Sequence, residues 1–255
     1  MLREFVADLH VHTLLSPCGE IEMTPHHIMM KAKEYGIDIV AITDHNSSGN
    51  LEAALESASR YGIKVFPGME VESREEGHIL ALFDTLKQLK DWQKIVDKHM
   101  NGLKNNAQKI GAQFVVDAND EFVFEETRML SGSLKLSAKE IVTKVNELGG
   151  ICIAAHIDRA SFSLVGQLGF LPLDLEFVAA EISANGLNKL HNECLKIQAA
   201  NLEFVTNSDA HWMKAFIEGP KTKYIMKEAS ISELKLAIKG EGGRKMIPAF
   251  FVNKE

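Results

Sequence analysis

A single α/β domain of barrel type is the fold this sequence predicts, and three observations predict it. Apolar, strand-like runs alternate with helix-like segments about seven times along the 255 residues, as a parallel sheet with crossover helices requires. The polar residues able to do chemistry fall just past the ends of those runs, where barrel active sites lie. No internal repeat, low-complexity tract or long linker divides the chain, so residues 1–255 are expected to form one domain. With 45% hydrophobic and 25% charged residues it can bury a substantial core and is not disordered.

The elements follow in order. Phe5-Val6-Ala7 begins an apolar strand that runs into His10 and His12. Their i, i+2 spacing puts both imidazoles on one strand face, poor core material but a good seat for Zn²⁺, Mn²⁺ or Fe²⁺. One such pair is a weak signal alone. After the Gly- and Pro-punctuated loop SPCGEIEMTP, Thr24-Pro25 reads as N-cap and first position of a helix closed by Gly36. DIVAIT, residues 38–43, is a buried-strand run that stops at Asp44-His45-Asn46, and a helix spans Leu51 to Tyr61. IKVFPGMEV is a strand ending in Pro67-Gly68 and then Glu70, and HILALF, from His78, is a further short strand.

Residues 84–113 read as helical, with Leu86, Leu89, Trp92, Ile95 and Val96 on one side. Residues 113–136 hold short apolar pieces among acidic ones and suggest an inserted excursion or lid. Ser137 to Glu140 is a capping box before a helix that ends at Gly149-Gly150. ICIAA is a buried strand ending in His156. Val178 to Ile182 is another, followed by a helix through Ala200. Glu203 to Thr206 leads to Asp209 and His211, Tyr224 to Met226 is the last strand, and a Ser230-x-x-Glu box opens a final helix to Lys239.

The net charge of −7 argues against a nonspecific nucleic-acid coat, and no stable duplex binding is expected. Cys18, Cys152 and Cys194 form no CxxC and cannot all pair, which fits a reducing compartment. No signal-peptide pattern opens the chain and no apolar run approaches ~18 residues, so a cytoplasmic protein with no membrane partner is expected.

Six of the ten histidines (His10, His12, His45, His78, His156, His211) stand beside strand ends, with Glu70 and Asp209. His26, His27, His99 and His191 fall within helical segments and read as bystanders. So many nitrogen and carboxylate donors exceed what one tetrahedral ion can use. They suggest two or three divalent ions bridged by a carboxylate, for which Glu70 is the natural candidate, and phosphate-ester hydrolysis as the chemistry.

HVH after a strand, TDHN, PGMEV, AAHIDR and NSDAH, in that order, closely resemble the polymerase and histidinol phosphatase (PHP) domain family over nearly the whole chain. The resemblance implies a distorted (β/α)7 TIM-like barrel with a bi- or trinuclear centre of Zn, Mn or Fe. Carried over by motif, His10, His12, Glu70 and Asp209 would hold one ion. Glu70 would bridge to a second, held also by His78 and His156. His45 and His211 would hold a third, with a residue from the loop after HVH. There the family often has His or Asp, whereas this chain has Cys18 with Glu20 as neighbour. A Cys18 thiolate would favour Zn²⁺ or Fe²⁺; otherwise Cys18 is a bystander, and the third site is weak or filled by Glu20.

Glu70, His211 and Arg159 are the catalytic candidates. Arg159 could clamp a phosphate, and Asn185 could contact substrate or cap a helix. Asp8 and Asp44 are candidates to orient imidazoles, or simple turn carboxylates. The implied function is a stand-alone metal-dependent phosphoesterase acting on a phosphomonoester or a nucleotide or oligonucleotide ester, its partner a small phosphorylated substrate or short oligonucleotide. The alternatives are a non-catalytic, metal-stabilised scaffold domain and an amidohydrolase-type barrel; the latter tends to bridge its metals with a lysine, and no strand-end lysine offers itself. The oligomeric state stays open.

Overall fold

The computed structural model describes residues 1–172, 174–189 and 193–249, and the statements below concern these. The main sheet has nine strands. β1 (Arg3–Val11), β2 (Ile39–Ile42), β3 (Lys64–Glu72) and β4 (His78–Leu82) lie side by side. The hairpin strands β5 (Phe114–Val116) and β6 (Phe122–Glu125) form a separate pair. β7 (Ile151–Ala154) lies beside β4, and β8 (Ala179–Ile182) and β9 (Phe204–Thr206) follow; β10 (Thr222–Met226) and β11 (Lys245–Pro248) extend the sheet beyond β1. The order is β11-β10-β1-β2-β3-β4-β7-β8-β9.

The sheet nearly closes. Past β9, Ala210 bridges Val11 in parallel, His12 N donates to Ala210 O at 3.0 Å, and Leu9 N donates to Asn207 Oδ1 at 2.9 Å. β10 pairs with residues 3–7 of that same edge of β1, so the returning chain takes its C-terminal half and completes a ring of seven strands. The barrel expectation holds, but the sheet is mixed rather than parallel. β4 runs antiparallel to both neighbours because only residues 73–77 join it to β3, too few for a crossover.

Alternation along the strands fills the ring. Leu9, Ile39, Ala41, Phe66, Leu80, Leu82, Ile151, Ile153, Ala179 and Val205 form one buried cluster inside it, joined by Leu234 and Ile238 of a helix, Ile231–Ile238, at one end. The intervening residues, such as Val40, Val65, Ile79, Cys152 and Ala180, join the larger outer core under the helices.

The helices α1 (Pro25–Glu34), α2 (Leu51–Tyr61), α3 (Leu86–His99) and α4 (Ala138–Glu147) agree with the sequence signals at their starts. Thr24 accepts from His27 N, and Ser137 with Glu140 makes a full capping box. α3 ends well short of residue 113: Met100 turns to an extended conformation and Gly102 has φ +76°, so Asn101-Gly102 is a turn. The helix expected through Ala200 is instead a 3₁₀ turn, Ala184–Lys189, and a short α-helix, Glu193–Gln198, and Asn185 lies inside the former rather than at a cap. The helices Leu164–Leu168 and Met213–Glu218, and strand β11, were not anticipated. At the last helix Ser230 caps Glu233 N, but Glu233 turns to Lys227 N and Arg244, so only half of that box forms.

Candidate metal centre

Each strand delivers its donor to one end of the ring by a local rule. On β3 the inward positions 66, 68, 70 and 72 carry Glu70 and Glu72 there, and on β8 the inward neighbour of Ala179 is Glu181. Four donors depart from simple alternation. The pairing of β1 with β2 shifts register between Asp8 and Val11, which sends Val11 to the outer core and leaves His10 and His12 facing the interior. His156 and Asp209 have φ of +27° and +49°, backbone that side-chain-bearing residues rarely adopt. Such strain concentrates where side chains must be re-aimed for function.

The result is one carboxylate ringed by imidazoles. Glu70, 1% exposed, has His78 Nδ1 at 2.8 Å, His45 Nδ1 and His156 Nε2 at 3.1 Å, His12 Nε2 at 3.2 Å and His10 Nε2 at 3.3 Å. Asp209 Oδ1 lies 3.2 Å from His10 Nε2 and 3.4 Å from His12 Nε2. Ligand-type atoms within 4.8 Å of one another form three overlapping groups: His10, His12, Glu70 and Asp209; His45, Glu70 and His78; and His12, His45 and His211.

The far sides of two imidazoles are already committed. His10 Nδ1 is 3.1 Å from both oxygens of Glu181. His12 Nδ1 is 2.9 Å from Ser16 Oγ, which itself donates to Asp44 Oδ1 at 2.8 Å. Those partners assign the hydrogen to Nδ1 on both rings, so in the neutral forms two Nε2 lone pairs converge at 3.1 Å. Only positive charge satisfies that arrangement. The donor set, neutral imidazoles plus buried carboxylates, fits borderline divalent ions such as Zn²⁺, Mn²⁺ or Fe²⁺.

The electrostatics agree. Burial pulls His10 down, but Glu181, Asp209 and Glu70 outweigh it and hold the imidazole well above its ordinary value. His12 is raised by Asp209 and Glu70 against the same burial, and His78 rises to about 9 beside Glu70 and Glu72. Burial pushes Glu70 up, yet His78, His10 and His45 override it and keep the carboxyl well below its usual range. Burial lowers His45 well below its ordinary value and, with His12 beside it, takes His211 down to about 4, so both are neutral near pH 7.

A cavity of about 310 Å³ opens onto the cluster, lined among others by Cys18, Glu72, Arg159 and Phe162. Arg159 Nη2 bonds Asp209 Oδ2 at 2.6 Å. Cys18 lines the cavity, with part of its surface exposed, but belongs to none of the three groups; lost hydration on its cavity side and then Glu70 push its thiol up to about 12, so without a cation beside it the thiol stays protonated. Glu20 is exposed and enters through its backbone, donating to His211 O. Asn185 lies in a neighbouring groove rather than over the cluster. Asp44 acts on His12 through Ser16, whereas Asp8 bonds Ser208 N and faces Lys221. His26, His27 and His99 bond Tyr61, Glu22 O and Ile95 O away from the site, and His191 lies outside the described residues.

Sequence reasoning missed Glu181 and Glu72. The signal for Glu181 was present, a lone carboxylate inside the buried run AAEI, which needs a partner to be there at all. Asn46, at φ +46°, donates to Leu130 O and Gly132 O, tying the 113–136 segment to the site loop, and Val115 and Leu130 pack on Leu15 beside it. Among the described residues no helix is long and apolar enough to cross a membrane, and Cys18 and Cys152 form no disulfide.

The family model described as the PHP domain matches residues 8–198. A PolC-type DNA polymerase III from Staphylococcus epidermidis is 26% identical over 202 residues, 71% of this chain and 14% of that one. The phosphoribosyl 1,2-cyclic phosphate 1,2-diphosphodiesterase of Eggerthella lenta is 33% identical over 82 residues, 30% of each chain. The chain thus spans only a small part of the polymerases it matches. Among solved structures, the lesion-specific endonuclease PfuEndoQ from Pyrococcus furiosus shares the fold with a TM-score of 0.65 and 21% identity, over 96% of this chain and 58% of that one.

Endonuclease Q, the same fold, is known in complex with a 27-mer duplex substrate with an abasic lesion at the active site. The expectation of no stable duplex binding therefore does not stand. Net charge averages over the whole chain, whereas nucleic acid meets the local field, and Arg159 and Lys214 stand at the edge of this site.

Proposed function

The chain belongs to the PHP domain family, and from that premise we propose that it hydrolyses a phosphomonoester, nucleotide or oligonucleotide phosphate ester at a centre of two or three divalent ions. The observation that carries the reading is the convergence of five imidazole nitrogens on buried Glu70, with the Nε2 lone pairs of His10 and His12 facing each other. His10, His12, Glu70 and Asp209 would hold one ion; Glu70, His78 and His156 would hold a second; His45 and His211 would hold a third, with Cys18, which lines the cavity, the loop residue in place to complete it. When bound, such ions lower the pKa of water and neutralise charge on a phosphoryl group.

The chain's own residues do the rest. Arg159 offers a guanidinium to phosphoryl oxygens while its other contact fixes Asp209. Neutral His211 stands in the same cavity, its Nδ1 2.9 Å from Asp209 O, which leaves its Nε2 lone pair to face an ion. Arg159→Ala is expected to lower kcat/KM by about 10–100-fold, the scale of a lost charged hydrogen bond. Lysine there should recover only part, since a point charge does not reproduce the fork. Steady-state kinetics on the two variants check this.

The deciding experiment measures phosphate release with Mn²⁺ or Zn²⁺ from 5′-AMP, 3′,5′-bisphosphoadenosine, histidinol phosphate and a short 5′-phosphorylated RNA. Release that stops on chelation and returns with metal is the expected result. Silence across the panel with metal shown to be bound would make the domain a metal-stabilised scaffold.

A further inference from the structure

The cavity over the metal centre does not stand alone. A second groove of about 460 Å³ shares Arg159 and Asp209 with it, so the two meet at that pair. The second groove is lined by Asn185, Trp212 and Lys214 among others. Trp212 directly follows His211 and is 48% exposed. It sits at the start of the Met213–Glu218 helix but makes no side-chain capping bond, so helix capping does not account for it. Lys214 is held only loosely by Glu218, at 3.9 Å.

A second open aromatic faces the first cavity. Phe162 is 52% exposed, its ring centroid 5.3 Å from that of His78, at a φ of +59° unusual for a bulky residue. Its carbonyl accepts from His78 N, which fixes that backbone against a metal-ligand candidate. Phe162 lines the first cavity only and Trp212 the second only, with Arg159 and Asp209 common to both.

An exposed indole beside an arginine and a lysine, next to a phosphate-ester site, has the composition of a base-stacking platform. Resting on the phosphoesterase reading above, we propose that the groove is a nucleobase subsite, with Trp212 stacking on a base whose phosphate reaches Arg159. The second aromatic makes the substrate two-sided: a phosphodiester with a nucleoside on each flank, rather than a phosphomonoester. Stacking of this kind requires unpaired bases and tolerates any sequence, because every base has a π-face. Hydrolysis adds water across one P–O bond; the phosphate keeps the water's oxygen, and one of its protons ends on the departing hydroxyl.

The molecule carries its own probe. Its two tryptophans differ, since Trp92 is wholly buried in the core while Trp212 is open, so ligand quenching reports on Trp212. The full chain, metal-free to prevent turnover, is titrated with thymidylyl-thymidine, thymidine 5′-monophosphate, ribose 5-phosphate and an eight-residue single-stranded oligothymidylate. The dinucleotide should quench and bind at least tenfold more tightly than the base-free phosphate, and more tightly than the mononucleotide. Trp212→Ala should weaken dinucleotide binding by about tenfold or more by equilibrium dialysis, the low end of one stacked base. Phe162→Ala should weaken it less than Trp212→Ala and close the gap to the mononucleotide.

Further gain with the oligonucleotide identifies a strand as the source of the base; no gain identifies a dinucleotide. Ribose 5-phosphate binding as well as the dinucleotide, or Trp212→Ala within twofold of the parent, overturns the subsite. Equal binding of mononucleotide and dinucleotide overturns the two-sided substrate. Hydrolysis of bis(p-nitrophenyl) phosphate, a diester without a base, by metal-loaded protein separates the two readings. Hydrolysis without base-dependent binding sinks the groove alone, and base-dependent binding without hydrolysis of any ester sinks the phosphoesterase reading alone.

Discussion

Glu70→Gln is expected to lower kcat/KM for phosphate-ester hydrolysis by about 10³-fold or more, a loss of roughly 4 kcal/mol of transition-state stabilisation. The substitution keeps the side chain's volume and removes its charge, so it asks about electrostatics rather than packing. In the parent, five imidazole nitrogens lie within 3.3 Å of the two Glu70 oxygens. An amide offers one weak oxygen donor and turns an NH₂ toward nitrogens that must present lone pairs to an ion. The carboxylate proposed to bridge two ions is thereby replaced by a poor ligand, and metal content after dialysis should fall with activity.

The metal-free variant gives an independent reading. His78 is held at about 9 in the parent, where burial alone would lower it and the charge and hydrogen bond of Glu70, together with Glu72, outweigh burial. Removing that charge destabilises the imidazolium, so the His78 pKa must move down, observable by NMR titration. Circular dichroism controls for unfolding. A well-folded variant that keeps its metal and works within tenfold of the parent would remove Glu70 from the centre of the mechanism.

How the site was legible follows from where its donors sit. His10 and His12 were readable because i, i+2 spacing survives on any strand. What turns them inward is a register shift in the β1–β2 pairing, which no spacing rule carries. Glu70 and His78 sit on ordinary inward positions, but the antiparallel course of β4 came from the brevity of residues 73–77, read only as a gap between two strands. His156 and Asp209 are placed by positive φ in non-glycine residues, a conformation set by tertiary packing rather than by residue type. The hairpin of β5 and β6 stayed illegible because every residue of β6 is exposed, so no buried face imposes a period of two. The helix that ends at His99 was overextended because an apolar stripe outweighed Asn101-Gly102, a stop signal in plain view.

Glu181 was legible in chemistry and missed in practice, and its replacement should have the second large effect. It is wholly buried on β8, with both oxygens 3.1 Å from His10 Nδ1, Oε2 accepting from Asn207 Nδ2 at 2.7 Å and Oε1 accepting from His156 N at 3.2 Å. It thereby fixes the His10 tautomer that presents Nε2 to an ion, and steadies the strained backbone at His156. Glu181→Gln keeps an acceptor oxygen, so metal affinity and kcat/KM should fall by about 10–100-fold, as for other carboxylates behind a ligating histidine. Glu181→Leu removes the acceptor altogether and strands Asn207 Nδ2 and His156 N, each left unpaired at about 1–3 kcal/mol. It should lose more affinity than the glutamine variant and also lower Tm. Because His10 touches both Glu70 and Asp209, loosening its ring should weaken the ion held by that group ahead of the others. Chelator competition with metal-loaded protein resolves this as a selective loss of one equivalent. A purely structural role would instead lower Tm while leaving every equivalent bound with parental affinity.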